Sequence, residues 1–302
     1  MNKNEYLQKI LEEQTFESSD QEMKDLRRRR DDIKKILLEK FSGSTISIRW
    51  GGAMAKGTMI KESYDGDMTC YFEQDDTAAG DSLADIFDNV AKALEGDYIV
   101  ERKTSALRIR DKAPATRGTD FHIDVVPGRY TDDTKTDVFI HQNGGTKERL
   151  KTNLDVHIDH IKDSGVIDAI RLMKLWNVRY GAGAKTFVLE LLTVKLLKGK
   201  NGKDISDQLE HVWKEFRDNA ENLAVEDPAN PSGNDLKPAL DSCRWSLSSI
   251  ARSTLAKIDS DGWESVYGPL KEKEESKESK SAAIHVAVGR AVVPTRPWCG
   301  DR

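Results

Sequence analysis

Cysteine is scarce in this chain: Cys70, Cys243 and Cys299 are the only three in 302 residues, far apart and without CxxC spacing. That pattern excludes a disulfide framework and a cysteine-rich zinc ribbon, and it fits a reducing compartment. Long apolar runs are missing as well. No stretch approaches the ~18 apolar residues that span a bilayer. The opening residues, MNKNEYLQKILEEQ, lack the apolar core of a secretory signal and carry too many acids for a transit peptide. A soluble, cytoplasmic protein with no membrane segment is expected. Positive charge is not in excess either: Lys and Arg number 47 against 52 Asp and Glu, a formal net charge of −5. Proteins that grip a nucleic-acid duplex are usually basic overall or in one domain, so no long nucleic acid is expected as a partner. A polyanionic nucleotide is still compatible with this charge, because metal ions can supply the local positive potential.

What is present is a globular composition, 37% hydrophobic and 33% charged, with enough length for two cores. No internal repeat is visible. Helical spacing predicts helices over 3–16 and 19–41, the second capped by Ser18, Ser19 or Asp20 and stopped by Gly43. Strand-like alternation follows over 45–50 and 67–72, an amphipathic helix over 81–94, and three more strands over 98–102, 106–110 and 121–126. From about 153 the periodicity is helical almost throughout, over 153–163, 165–179, 185–198, 205–222 and 235–258. The expected fold is α+β: a long N-terminal helix and a small mixed sheet over 1–150, then an all-α domain over 151–270, with the site in a cleft between them. Residues 271–302 read as a charged low-complexity linker, KEKEESKESKS, and an apolar tail.

The segment WGGAMAKGTMIKESYDGDMTCYF, residues 50–72, concentrates the chemistry. Residues i and i+2 of a strand share a face, so Asp65 and Asp67 project together. Two carboxylates that close repel unless a cation lies between them, and hard oxygen donors select magnesium or manganese. A two-metal phosphoryl-transfer site needs a third carboxylate. The stretch TDFHIDVVP offers Asp124, between apolar Ile123 and Val125, and the less favoured Asp120 at the strand's polar start. Gly51 and Gly52 allow the backbone to approach a phosphate, and a helical turn after them aims N–H groups at it. Lys56 either adds charge there or lies on the surface.

This ordered set resembles the DNA polymerase β-like nucleotidyltransferase superfamily. Its pattern of hydrophobic-Gly-Gly/Ser, spacer, Asp-x-Asp and later strand Asp reads here as Trp50-Gly51-Gly52, twelve residues, Asp65-Gly66-Asp67 and Asp124. Gly52 stands where many relatives have Ser, and Gly66 where the middle residue is usually apolar. The blocks IRLMKLWN, KTFVLELLTV and DPANPSGN, in that order, are similar to the oligoadenylate synthase and bacterial cyclic GMP-AMP synthase-like (CD-NTase) branch. The resemblance implies two Mg²⁺ ions, or Mn²⁺, on Asp65, Asp67 and Asp124. It also implies triphosphate contacts from Lys174 and Thr186, and a base stacked on Phe187, which equally reads as core. The implied substrates are nucleoside triphosphates. The implied product is a cyclic di- or trinucleotide second messenger of bacterial anti-phage defence, read by a separate effector. A regulatory protein at the C-terminal tail is a further implied partner.

Competing readings are a linear 2′–5′ oligoadenylate synthase, an enzyme adding nucleotides to tRNA or poly(A), and a catalytically silent nucleotide-binding module. Of the remaining features, His157 and His160 read as solvated or capping, and Glu190 as structural. Arg27–Arg30 point around a helix as a solvated face. Arg108 and Arg110 either border the nucleotide or pair with surface acids.

Overall fold

The structure is a computed structural model and describes residues 1–112, 122–144 and 147–271. Asp120 and the tail from 272 onward therefore lie outside the described residues. Met1–Leu270 form one compact unit. The chain begins with α1 (Lys3–Glu13), whose capping box pairs the Asn2 side chain with the N–H of Glu5, and the Glu5 carboxylate with the N–H of Asn2. Next comes α2 (Gln21–Lys40), with Met23, Leu26, Ile33 and Leu37 buried along one face.

The sheet half follows in the order β1 (Ile46–Trp50), α3 (Gly52–Lys56), β2 (Gly66–Phe72), α4 (Leu83–Glu95), β3 (Tyr98–Arg102), β4 (Leu107–Asp111), β5 (Ile123–Tyr130), β6 (Val138–His141) and β7 (Arg149–Thr152). The seven strands run β1-β2-β5-β4-β3, with β6 beside β5 and β7 beside β6. Among the described residues only β2 and β5 pair in parallel. The first half of β5 pairs with β4 and its second half with β6. α4 lays Ile86, Phe87, Val90, Ala91 and Leu94 on the sheet, against Met68, Cys70, Phe72, Leu107, Ile109 and Val125. β6 and β7 are absent from the sequence reading. At four residues each they are too short for alternation to register.

The helical half contains α5 (Leu154–Lys162), α6 (Ile167–Tyr180), α7 (Thr186–Leu196), α8 (Ile205–Asp218), α9 (Lys237–Asp241), α10 (Arg244–Asp261) and α11 (Glu264–Tyr267). The helix expected over 235–258 is two helices, separated by a turn at Ser242–Cys243, where Cys243 φ widens to −118°. Trp176, Trp213, Phe216, Trp263 and Tyr267 fill the core, and the buried Trp176 indole N–H donates to Thr254 Oγ1 at 2.9 Å.

Tyr6, Leu7, Ile10 and Leu11 of α1 join this same core. The N-terminal helix, grouped by sequence with residues 1–150, thus packs with the helical half, and a boundary at 150 falls inside β7. Fully burying a side chain such as Leu7 is worth ~1.5–3 kcal/mol, so α1 is part of that half's stability rather than an appendage. Among the described residues no helix is long and apolar enough to cross a membrane.

Candidate active site

The parallel pairing of β2 with β5 puts Asp67 directly opposite Asp124. Asp65 lies just before β2, which starts at Gly66, one residue earlier than expected from sequence. His122 sits between the outer two, its Nε2 3.7 Å from Asp65 and 4.0 Å from Asp124. The three carboxylates therefore converge at one corner of the sheet. Their electrostatics differ. Asp65 is held below the usual carboxylate range chiefly by His122. Asp67 is pushed up to about 7, first by burial and then by the charges of Asp65 and Asp124, against the pull of Lys56 and Lys174. Asp124 is gripped at both oxygens by Arg108 on β4, at 2.9 and 3.0 Å. The register makes this pair, since Arg108 stands opposite Asp124. Arg108 thus pairs with a largely covered acid of the candidate site rather than with the surface acid of one of its two sequence expectations.

Two glycines explain how the strand ends close up. The Gly51 N–H donates to the Asp67 carbonyl at 2.8 Å and continues the β1–β2 ladder into the turn. Gly52 has φ +50°, and a Cβ there would lie 1.6 Å from the Asp67 carboxylate. A serine at 52 is excluded in this conformation by both backbone and space. Gly66 departs from the apolar middle residue for a similar reason: a Cβ there would stand 3.0 Å from both Leu26 and Ile123.

Immediately behind the acids lies a buried cationic cluster. α3 ends at Gly57, left-handed at φ 75°, and the turn delivers Lys56 and Thr58 towards α7. Lys56 pairs with Glu190, and Thr58 Oγ1 donates to the other Glu190 oxygen at 2.6 Å. Lys174, from α6, donates to the Thr58 carbonyl at 2.7 Å and lies 3.8 Å from Glu190. All four side chains are buried. Burial, with the charge of Lys56, lowers the Lys174 pKa against the pull of Glu190. Lys56 is therefore not a surface residue. Two ammonium groups share one carboxylate, leaving an excess positive charge next to Asp65 and Asp67. Glu190 fits its structural reading, as the tie between the sheet half and the helical half.

Phe187 is half-buried in the first turn of α7, with Lys56 Nζ 5.6 Å from its ring centroid and the His157 ring 5.0 Å away at 62°. It is thus apart from the α7 residues Val188, Leu189 and Leu192, which enter the core. Thr186 is the exposed first residue of α7. Ala184 just ahead of it is clamped to α6 by two hydrogen bonds with the Asn177 side chain, both 3.0 Å. His157 was read as solvated or capping. It instead bonds Asp227 at 2.7 Å, a long-range contact that helical spacing cannot reveal.

The donor set suits a hard divalent cation: Asp65 and Asp67 are neighbouring oxygen donors, and burial together with the charges of Asp65 and Asp124 raises the Asp67 pKa. Asp124 would be the third oxygen donor, and both its oxygens already accept from Arg108. No group of three His, Cys, Asp or Glu side chains among the described residues stands in a metal-holding arrangement.

No protein-family model matches the chain, and no curated protein does. Solved structures do. CdnC of Escherichia coli MS115-1, in its complex with HORMA-deltaN, is 21% identical with a TM-score of 0.58, covering 82% of this chain and 92% of its own. The cyclic dinucleotide synthase CdnE of Elizabethkingia meningoseptica, with GTP and Apcpp, is 13% identical with a TM-score of 0.63, covering 85% and 99%. The CD-NTase CdnG of Bradyrhizobium diazoefficiens, in complex with GTP, is 12% identical with a TM-score of 0.64, covering 88% and 94%. At these identities the likeness establishes the fold.

Proposed function

We propose, for a chain that has the CD-NTase fold, that it is a magnesium-dependent nucleotidyltransferase making a cyclic di- or trinucleotide from ATP, alone or with other nucleoside triphosphates. The observation that carries this reading is the register of β2 against β5. It brings Asp67 and Asp124 side by side, next to Asp65 and in front of the excess charge of Lys56 and Lys174. Acid donors for a cation, backed by buried ammonium groups, are what a triphosphate with its metal requires.

In this reading Asp65, Asp67 and, once freed from Arg108, Asp124 hold the divalent ions. Magnesium, when bound, screens the triphosphate and makes the acceptor hydroxyl more acidic. The protein's own part is positioning. Gly51, Gly52, Lys174 and Thr186 steady the phosphates, and Phe187 stacks on a base. Asp124 holds an acceptor ribose hydroxyl in line and takes its proton as the oxygen attacks the α-phosphorus and pyrophosphate departs. A second messenger of anti-phage defence, read by a separate effector, is the role that goes with such a product. The HORMA-bound state of CdnC supports the further proposal of a regulatory protein partner.

Incubation with labelled nucleoside triphosphates and Mg²⁺, followed by phosphatase, is the test. Phosphatase-resistant label that disappears in Asp65→Ala and Asp67→Ala is expected. Phosphatase-sensitive oligomers would transfer the reading to a linear synthase. No incorporation in any condition would leave a nucleotide-binding module.

A further inference from the structure

The ring of His157 is fixed more firmly than a solvated histidine requires. Its partner Asp227 is 1% exposed. Besides His157, Asp227 Oδ1 accepts the Ala229 N–H at 2.9 Å, and Oδ2 accepts the Asn234 amide at 2.7 Å. Burial pushes the Asp227 pKa up, yet the bonds from His157 and Asn234 outweigh it and hold the carboxyl below its usual range. An ionised carboxylate only accepts, so His157 Nε2 is the donor, and the bond holds the ring in place. The loop that supplies Asp227 is itself tied down, because Asn230 donates to the Lys151 carbonyl at 2.9 Å. The far side of this chain of contacts is the Phe187 ring, tilted 62° to the imidazole, with the Lys56 ammonium also near it.

We propose that His157 is a positioning residue for nucleobase binding: anchored by Asp227, it sets the orientation of the Phe187 ring against which the base lies. The inference rests on the reading of Phe187 as the base-stacking residue. It adds that a buried carboxylate in the 227–234 loop acts on base affinity through two rings, without touching the nucleotide.

The base contribution is separable from the phosphate contribution. The full chain is titrated in Mg²⁺ with α,β-methylene ATP, α,β-methylene GTP and inorganic tripolyphosphate, for wild type, His157→Ala, Asp227→Asn and Phe187→Ala. An aromatic edge contact is worth about three- to tenfold in affinity. His157→Ala is expected to weaken binding of at least one nucleoside analogue by that factor while tripolyphosphate binds as before. Adding His157→Ala to Phe187→Ala is expected to cost nothing more. Asp227→Asn, which keeps the side chain's shape, is expected to follow His157→Ala in the same direction. Unchanged analogue affinity in His157→Ala overturns the proposal, and so does an equal loss for tripolyphosphate, which marks a merely structural role. Wild type that binds tripolyphosphate but neither analogue more tightly would sink the stacking role of Phe187. Wild type that binds none of the three would sink the triphosphate reading itself.

Discussion

Two charged clusters stand back to back in this protein, and they are balanced in opposite ways. Lys56, Thr58, Lys174 and Glu190 are buried and mutually bonded, and their surplus is positive. Asp65, Asp67 and Asp124 are only partly covered, and their surplus is negative, with Arg108 on one of them. The first cluster is built for a fixed geometry. In the second, burial and the charges of Asp65 and Asp124 push the Asp67 pKa up to about 7. The difference teaches where charge is fixed by internal bonds and where it faces a partner still to come, with Lys174 the member of the fixed cluster that the proposed function also directs at phosphate.

Substitution should separate the two. Asp67→Asn is expected to remove activity by at least about 10²–10³-fold, the scale of losing one preorganised charge contact. It should also raise the melting temperature of the metal-free protein, because one of three like charges is gone. A lower melting temperature would place Asp67 in the structural cluster. Glu190→Ala should do the reverse to stability. Breaking a buried pair from one side costs about 3–5 kcal/mol, read by urea unfolding, and a loss under 1 kcal/mol would show that the cluster is not the tie between halves. Arg108→Ala is expected to tighten Mn²⁺ binding to the nucleotide-free protein about three- to tenfold, since Asp124 regains both oxygens. Weaker binding would mean that Arg108 shapes the site rather than competing for it.

The smallest effect concerns pH. A carboxyl with a depressed pKa adds stability above its unfolded value, near 3.9, and that stability is lost as pH falls through the folded value. Asp227 is such a group. Asp227→Asn should therefore flatten the acid side of the stability profile below about pH 3.9 and leave the slope at neutral pH unchanged. An unaltered acid limb would show that its hydrogen bonds carry no net stability.

Sequence exposed the chemistry better than the packing. Asp65, Asp67 and Asp124 were legible because acids at strand spacing, one of them among apolar neighbours, have few uses. The long helices and the strands β2 and β5 were legible from periodicity, but the parallel pairing of those strands was not. Arg108 on Asp124 was not, because alternation along β4 gives a face but not a register. β6 and β7 were too short to show. The assignment of α1 to the helical core was hidden because its apolar face states that it packs, not where. Likewise, nothing in DVHIDHIKD announces a partner seventy residues away, as His157 has in Asp227.

Gly66 has a consequence for how this protein can change over generations. Leu26, on the long helix α2, and Ile123 press on it from two sides, so a side chain there needs those two neighbours to give by a few tenths of an ångström. Drift in that helix and drift in the acid-bearing turn are thus mechanically yoked. A lineage that enlarges residue 66 should be found to have trimmed residue 26 or 123 first.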